Sequence, residues 1–340
     1  MAQVYILGAG ASCFAGYPLG LELWRFIRDR PPIDVTARER AATVADFVRR
    51  VLEVVRQPEP DLPDLEQIFT LLDLAEAGTD TLGLGRLGWR SLRPMVMGTI
   101  ADVFQSHQHQ LRDQLRDVSC KAAKVLDAWV SRVHEGDTII TFNWDLLNEA
   151  ALWHREKWHY ADGYGFTSRG APSGCCSRVK VLKLHGSVNW AQSDEQDCEP
   201  AIQYRRDFFP RAPANDLDDY WRTAEELNDG RNLIVPSYLK DLSSNRLLLK
   251  LWNQASDALS TAEQVTVVGF RLHPADALAR QLLGCAMERN PNSFPIRIVS
   301  PQGGADDHWD EFCRRIGRDC HRVRLKFEEW VLQGHSRSAR

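Results

Sequence analysis

Apolar residues along this chain change spacing about two-fifths of the way in. A short continuous run, QVYIL at 3–7, ends in glycine and reads as a buried first strand. Helical spacing follows it. In LGLELWRFIRDR, Leu19, Leu23, Phe26 and Ile27 share one face, and Pro31-Pro32 stops the helix. Thr36 to Gln57 carries Val44, Phe47, Val48, Val51 and Val55 on one stripe. DLPDLEQIFTLLDLAEAG at 61–78 has proline in its first turn and glycine just past its end. A glycine-rich loop at 78–90 then precedes a long helical stretch from Pro94 to about Val133.

Beyond Val133 the apolar runs become short and β-branched: DTIITF (137–142), VKVLKL (179–184), NLIVPS (232–237), QVTVVGF (264–270) and IRIVS (296–300). Helical segments at 145–157, 240–261 and 275–289 lie between them. Buried strands alternating with helices predict an α/β fold with a doubly wound parallel sheet. The closing RVRLKFEEWVL adds an edge strand and a last helix. The expected architecture is one Rossmann-like domain over 1–340, with a helical insert at 30–133 after the first strand and the remaining core at 134–335. Segments 158–178 and 190–230, rich in Gly, Ser, Asp and Pro, are expected to form loops over the site.

Composition narrows the classes of function. A net charge of −4 gives no reason to expect nucleic acid or an anionic membrane as partner. The start, MAQVYILGAG, lacks a basic leader region, and no apolar run approaches the roughly 20 residues of a membrane span. A cytoplasmic location is expected. None of the eight cysteines forms a CxxC pair, so no metal site is expected and the thiols read as reduced.

Three strand ends carry candidate chemistry. Gly8 and Gly10 after the first strand would let backbone N–H groups approach a phosphate, and Ser12 adds a hydroxyl; an ordinary tight turn is the plainer reading. In TFNWD (141–145), Asn143 and Asp145 alternate onto one side, where they could orient a ribose hydroxyl, a water or a carboxamide. They could equally cap the helix that follows. In KLHGSVNW (183–190), His185 stands where a strand yields to a Gly-Ser loop, in reach of the crevice, although a lone histidine is often structural.

Taken together and in this order, GAGAS (8–12), DLEQIFTLLDL (64–74), TFNWDLLNEAAL (141–152) and KLHGSVNW (183–190), extended by LIVPS (233–237) and VVGFRLHPAD (267–276), resemble the sirtuin-like family. The resemblance is stronger to its bacterial NAD-consuming branch than to the protein deacylases. It implies that Gly8, Ala9, Gly10 and Ser12 contact the NAD phosphates, and that Asn143 orients the nicotinamide ribose and the attacking water. Asp145 would position the nicotinamide end and His185 would act as base. Gly269 would lie near the cofactor ribose and Ser300 near the adenine. Deacylases of the family carry a zinc ribbon of two CxxC pairs after the H-G motif, and that region here offers only Cys198. Water is then the expected acceptor, with nicotinamide and ADP-ribose as products. By the same resemblance the protein would be an effector of bacterial anti-phage defence, acting as a homo-oligomer or with a controlling partner protein. Rival readings are an NAD or ADP-ribose sensor without turnover, and a deacylase or ADP-ribosyltransferase with an unusual acceptor groove. A hydride-transferring dehydrogenase is disfavoured, since no acidic residue follows a second strand at the usual spacing.

Overall fold

The computed structural model describes residues 2–29, 35–55, 65–76, 85–167, 176–191, 201–202, 246–274, 276–301 and 308–335. Its core is an α/β Rossmann-like sheet of six strands: β1 (Gln3–Leu7), β2 (Thr138–Thr141), β3 (Lys180–Lys183), β6 (Gln264–Val268), β7 (Ile296–Val299) and β8 (Cys320–Val323). The order is β3-β2-β1-β6-β7-β8 and every pairing is parallel. A small antiparallel pair, β4 (Trp190–Ala191) and β5 (Ala201–Ile202), stands apart.

The strand sequences explain this order. Val4, Tyr5, Ile6 and Leu7 are all buried, as a central parallel strand covered on both faces requires. Thr266 is buried on β6, and its hydroxyl accepts from Gln3 Nε2 at 2.9 Å. β8 is half exposed, as expected of an edge strand. The chain runs from β1 outward to β3 and then crosses to β6, so the reversal in strand order falls between β1 and β6.

Between β1 and β2 come α1 (Leu23–Asp29), α2 (Val35–Val55), α3 (Leu65–Glu76), α4 (Gly85–Arg116) and α5 (Lys121–Arg132), which form the helical insert. The first, second, third and fifth of these all contact α4. The long helix expected from Pro94 to Val133 is two helices. Asp117 Oδ1 accepts from the amide and hydroxyl of Ser119 at 2.9 and 2.6 Å, and Cys120 Sγ accepts from Ala123 N to cap α5. At its other end α4 begins at Gly85 and runs through Pro94. Buried Val96, Met97, Ile100, Val103 and Phe104 supply packing that outweighs the local break.

Helices α6 (Leu147–His154) and α10 (Phe327–His335) both pack on α5, whereas α7 (Arg246–Thr261) packs on α8 (Ala277–Arg289). Trp129 of α5 is the hub of the first group, meeting Tyr5 edge-on at 4.8 Å and Phe327 at 5.6 Å. Segment 158–167, expected as a loop over the site, packs in the core instead. Trp158, Tyr160, Tyr164 and Phe166 are buried, and Gly163 O accepts from Val181 N at 2.8 Å, so the segment covers the outer edge of β3. NLIVPS, Pro63, Cys175 and Cys198 lie outside the described residues. Among the described residues no helix is long and apolar enough to cross a membrane.

At the β1–β6 junction the two backbones nearly touch. Gly8 N donates to Val268 O at 3.0 Å and Gly10 N to Gly269 O at 3.1 Å. A Cβ on Gly269 would stand 2.5 Å from the Gly10 carbonyl carbon, and one on Gly8 2.6 Å from the Phe270 Cα. Gly269 also has φ of +61°, where a side chain is strained. Gly269→Ala is therefore expected to cost about 2–4 kcal/mol through left-handed strain and overpacking. Denaturant melts beside Gly136→Ala, a left-handed glycine with open space around it, separate the two contributions.

Candidate functional site

The pocket at the carboxyl ends of β1, β2 and β3 has a cavity volume of about 140 Å³ and opens to solvent, a cleft smaller than a typical small-molecule site. Its polar groups are Ser12, Asn143, Asp145 and His185, and its walls include Tyr17, Leu23, Phe104 and Trp144. Parallel strands bring these residues together because every strand delivers its following loop to the same edge of the sheet.

β2 ends at Thr141, and the next residues stay extended enough for Asn143 and Asp145 to face the turn after β1. Asn143 Nδ2 donates to Gly8 O at 2.9 Å and to Ser12 Oγ at 3.1 Å. Ser12 Oγ donates to Asp145 Oδ2 at 2.6 Å. The other carboxylate oxygen, Asp145 Oδ1, accepts from Leu147 N at 3.1 Å. Asp145 thus both lines the pocket and receives the first amide of α6. The serine joins the two strand ends, and all three side chains are nearly buried.

His185 follows β3 at the same edge. Trp144 Nε1 donates to its carbonyl at 2.9 Å, and the Phe142 ring meets the imidazole edge-on at 5.0 Å. Phe142 in turn stacks on Phe270 at 4.3 Å, so an aromatic pair bridges β2 and β6 above Gly8. His185 Nε2 lies 3.8 Å from Asp276 Oδ2.

The remaining expected residues are placed differently. The amides of Gly8 and Gly10 are taken up by the carbonyls of Val268, at the end of β6, and of Gly269 after it, and close backbone approach demands glycine there. Ala9 and Ser12 are what this turn presents to the pocket. Gly269 packs on Gly10 and is not part of the pocket wall. Ser300 follows β7, two strands away from β1, and its amide donates to Val323 O at 3.1 Å. The Cys13 thiol is pushed up to about 11, by lost solvation first and by Glu22 next, so at neutral pH it is no thiolate.

Beneath the pocket lies a buried ion pair that sequence reasoning missed. Lys183 Nζ donates to Glu149 Oε1 at 2.8 Å and to the main-chain carbonyl of Asp145. Burial holds the Glu149 carboxyl above the usual carboxylate range, opposed by the Lys183 charge. Tyr164 completes the cluster, its hydroxyl donating to Glu149 Oε1 at 3.2 Å. The signal available was the second lysine of VKVLKL, Lys183, three positions after Lys180 and so on the opposite face of the strand. The pocket wall from the insert had no such signal. Phe104 of α4 lines the pocket, while His107 Nε2 contacts Ala15 O at 2.9 Å and Gln108 Oε1 accepts from the Tyr17 hydroxyl. Helix α4 thereby braces the loop 15–20. Among the described residues no group of three His, Cys, Asp or Glu side chains could hold a metal ion.

No family model matches the sequence, and no curated protein does. Among solved structures the chain is similar to one described as "The Structural basis of Sirtuin Substrate Affinity", at 14% identity. That match covers 98% of this chain and 92% of the other, with a TM-score of 0.37.

Lys183→Met leaves Glu149 buried without its countercharge, and a loss of about 3–5 kcal/mol is expected. Lys183→Met/Glu149→Leu should recover most of it. A carboxyl raised in the folded state favours folding at low pH and ceases to do so as pH rises through its folded value. Denaturant melts should therefore find the single variant less impaired at pH 5 than at pH 8, and the double variant indifferent to pH over that range.

Proposed function

We propose that the protein hydrolyses the bond between nicotinamide and ribose in NAD, releasing nicotinamide and ADP-ribose. The observation that carries this reading is the convergence of Ser12, Asn143, Asp145 and His185 on one largely apolar pocket at the carboxyl edge of a parallel sheet.

The chemistry asks little of the protein by way of acid catalysis. Nicotinamide leaves NAD as a neutral pyridine, taking the electron pair of the broken bond, so the leaving group needs no proton. The sugar passes through an oxocarbenium-like transition state, as in glycoside hydrolysis. The protein must hold the ribose, exclude stray nucleophiles and deliver one water. Tyr17, Phe104 and Trp144 supply the apolar enclosure. Asn143, an amide with both donor and acceptor, would orient the ribose hydroxyl and the water once substrate displaces its contact with Ser12. Asp145 would hold the nicotinamide end, with Ala9 and Ser12 at the phosphates. His185 would take the proton of the attacking water, the general-base work for which a neutral imidazole is suited.

Purified protein incubated with NAD should release nicotinamide and ADP-ribose in equal amounts by chromatography. His185→Ala and Asn143→Ala should each reduce turnover by about 100-fold or more. Turnover unaffected by either substitution would remove both residues from the mechanism. A mass loss from an added acetyl-lysine peptide would instead favour deacylation.

A further inference from the structure

Asp276 directly precedes α8, at the N-cap position, and aspartate is among the best capping residues. The structure uses it otherwise. Its side chain makes no capping hydrogen bond to the helix, and it is buried, with 5% of its surface exposed. Its Oδ2 faces Nε2 of His185, itself 6% exposed, at 3.8 Å. A buried carboxylate needs compensation, and the α8 N-terminus and the Nε2 of His185 are what it faces.

The approach is made by an unusual path. β3 and β6 are separated by β2 and β1, so the residues after them start far apart. The chain after β6 turns at Gly269 (φ +61°) and again at Leu272, a buried leucine with φ of +53°. Phe270 is stacked on Phe142 along the way. Asp276 N then donates to His273 O at 2.9 Å, closing the turn that starts α8. A non-glycine residue held in the left-handed region marks a conformation imposed by its surroundings, and here it carries a carboxylate across the sheet edge to an imidazole.

We propose that Asp276 is a positioning residue for His185. It rests on the NAD-cleaving reading. Its carboxylate holds the ring with the proton on Nε2, leaving the lone pair on Nδ1 to receive the proton of water. As the water oxygen bonds to the ribose carbon and nicotinamide departs with its electron pair, the imidazole becomes a cation. Asp276 stabilises that cation until the proton passes to solvent. The separation of 3.8 Å is long for a hydrogen bond, and such contacts tighten when substrate binds.

Asp276→Asn keeps the size and removes the charge, and Asp276→Ala removes both. With NAD as substrate, each variant should lower kcat by about 10- to 100-fold while KM stays within about threefold, since the lost interaction matters only as the cation forms. A kcat within twofold of wild type in both variants would overturn the proposal, as would a loss confined to KM. Nitrogen-15 NMR of the His185 ring reads the pairing without turnover. The wild type should show the Nε2–H tautomer, and Asp276→Ala should mix the two tautomers. An unchanged tautomer in Asp276→Ala overturns the pairing even if turnover falls. Wild-type protein that releases no nicotinamide overturns the NAD-cleaving reading itself, while the NMR result still decides whether Asp276 orients the ring.

Discussion

The backbone contact between Gly10 and Gly269 is the constraint on which the site depends. It holds the turn after β1 against the end of β6, where the strand order reverses. From the turn held there, Ser12 meets Asn143 and Asp145 after β2. Phe270 settles above Gly8, and the chain beyond it crosses the sheet edge to end at Asp276 beside His185. A side chain at any of the three glycines would push these pieces apart together.

The polar side of the pocket is held from below. Lys183 is in a strand whose neighbours are apolar, yet its ammonium reaches both the Asp145 carbonyl and Glu149. Such a buried pair is weak as a source of stability, because desolvation offsets most of its attraction. What it supplies is position. The Asp145 main chain is fixed from beneath by a cation while its side chain is fixed by Ser12 and by the start of α6. The loop carrying Asn143 and Asp145 is thus defined at both ends.

The insert and the sheet differ in how much their sequences announced. Strands β1, β2, β3, β6 and β7 stand where short β-branched runs predicted them, because burial on both faces leaves an unambiguous apolar string. The insert appeared as helices with correct stripes at Val44, Phe47 and Val48. The break at Asp117–Cys120 was missed because it depends on a side-chain turn, and the start of α4 before Pro94 because tertiary packing outweighs a local breaker. That α4 would reach the pocket with Phe104 and brace loop 15–20 through His107 and Gln108 was hidden, since helical periodicity says which face is buried but not against what.

By itself the sequence determined the parallel α/β fold, its helical insert and the strand ends bearing Ser12, Asn143, Asp145 and His185. These follow from local rules, in which apolar period selects the element and parallel strands send their loops to one edge. The tertiary structure alone decided that the glycines pack β1 closely against the end of β6, that Lys183 and Glu149 form a buried pair, and that the Asp276 carboxylate faces His185. Each of these joins residues between 34 and 262 positions apart in the chain. Their pairing depends on which strands become neighbours and how loops cross between them, and no local pattern of hydrophobic and polar residues encodes that.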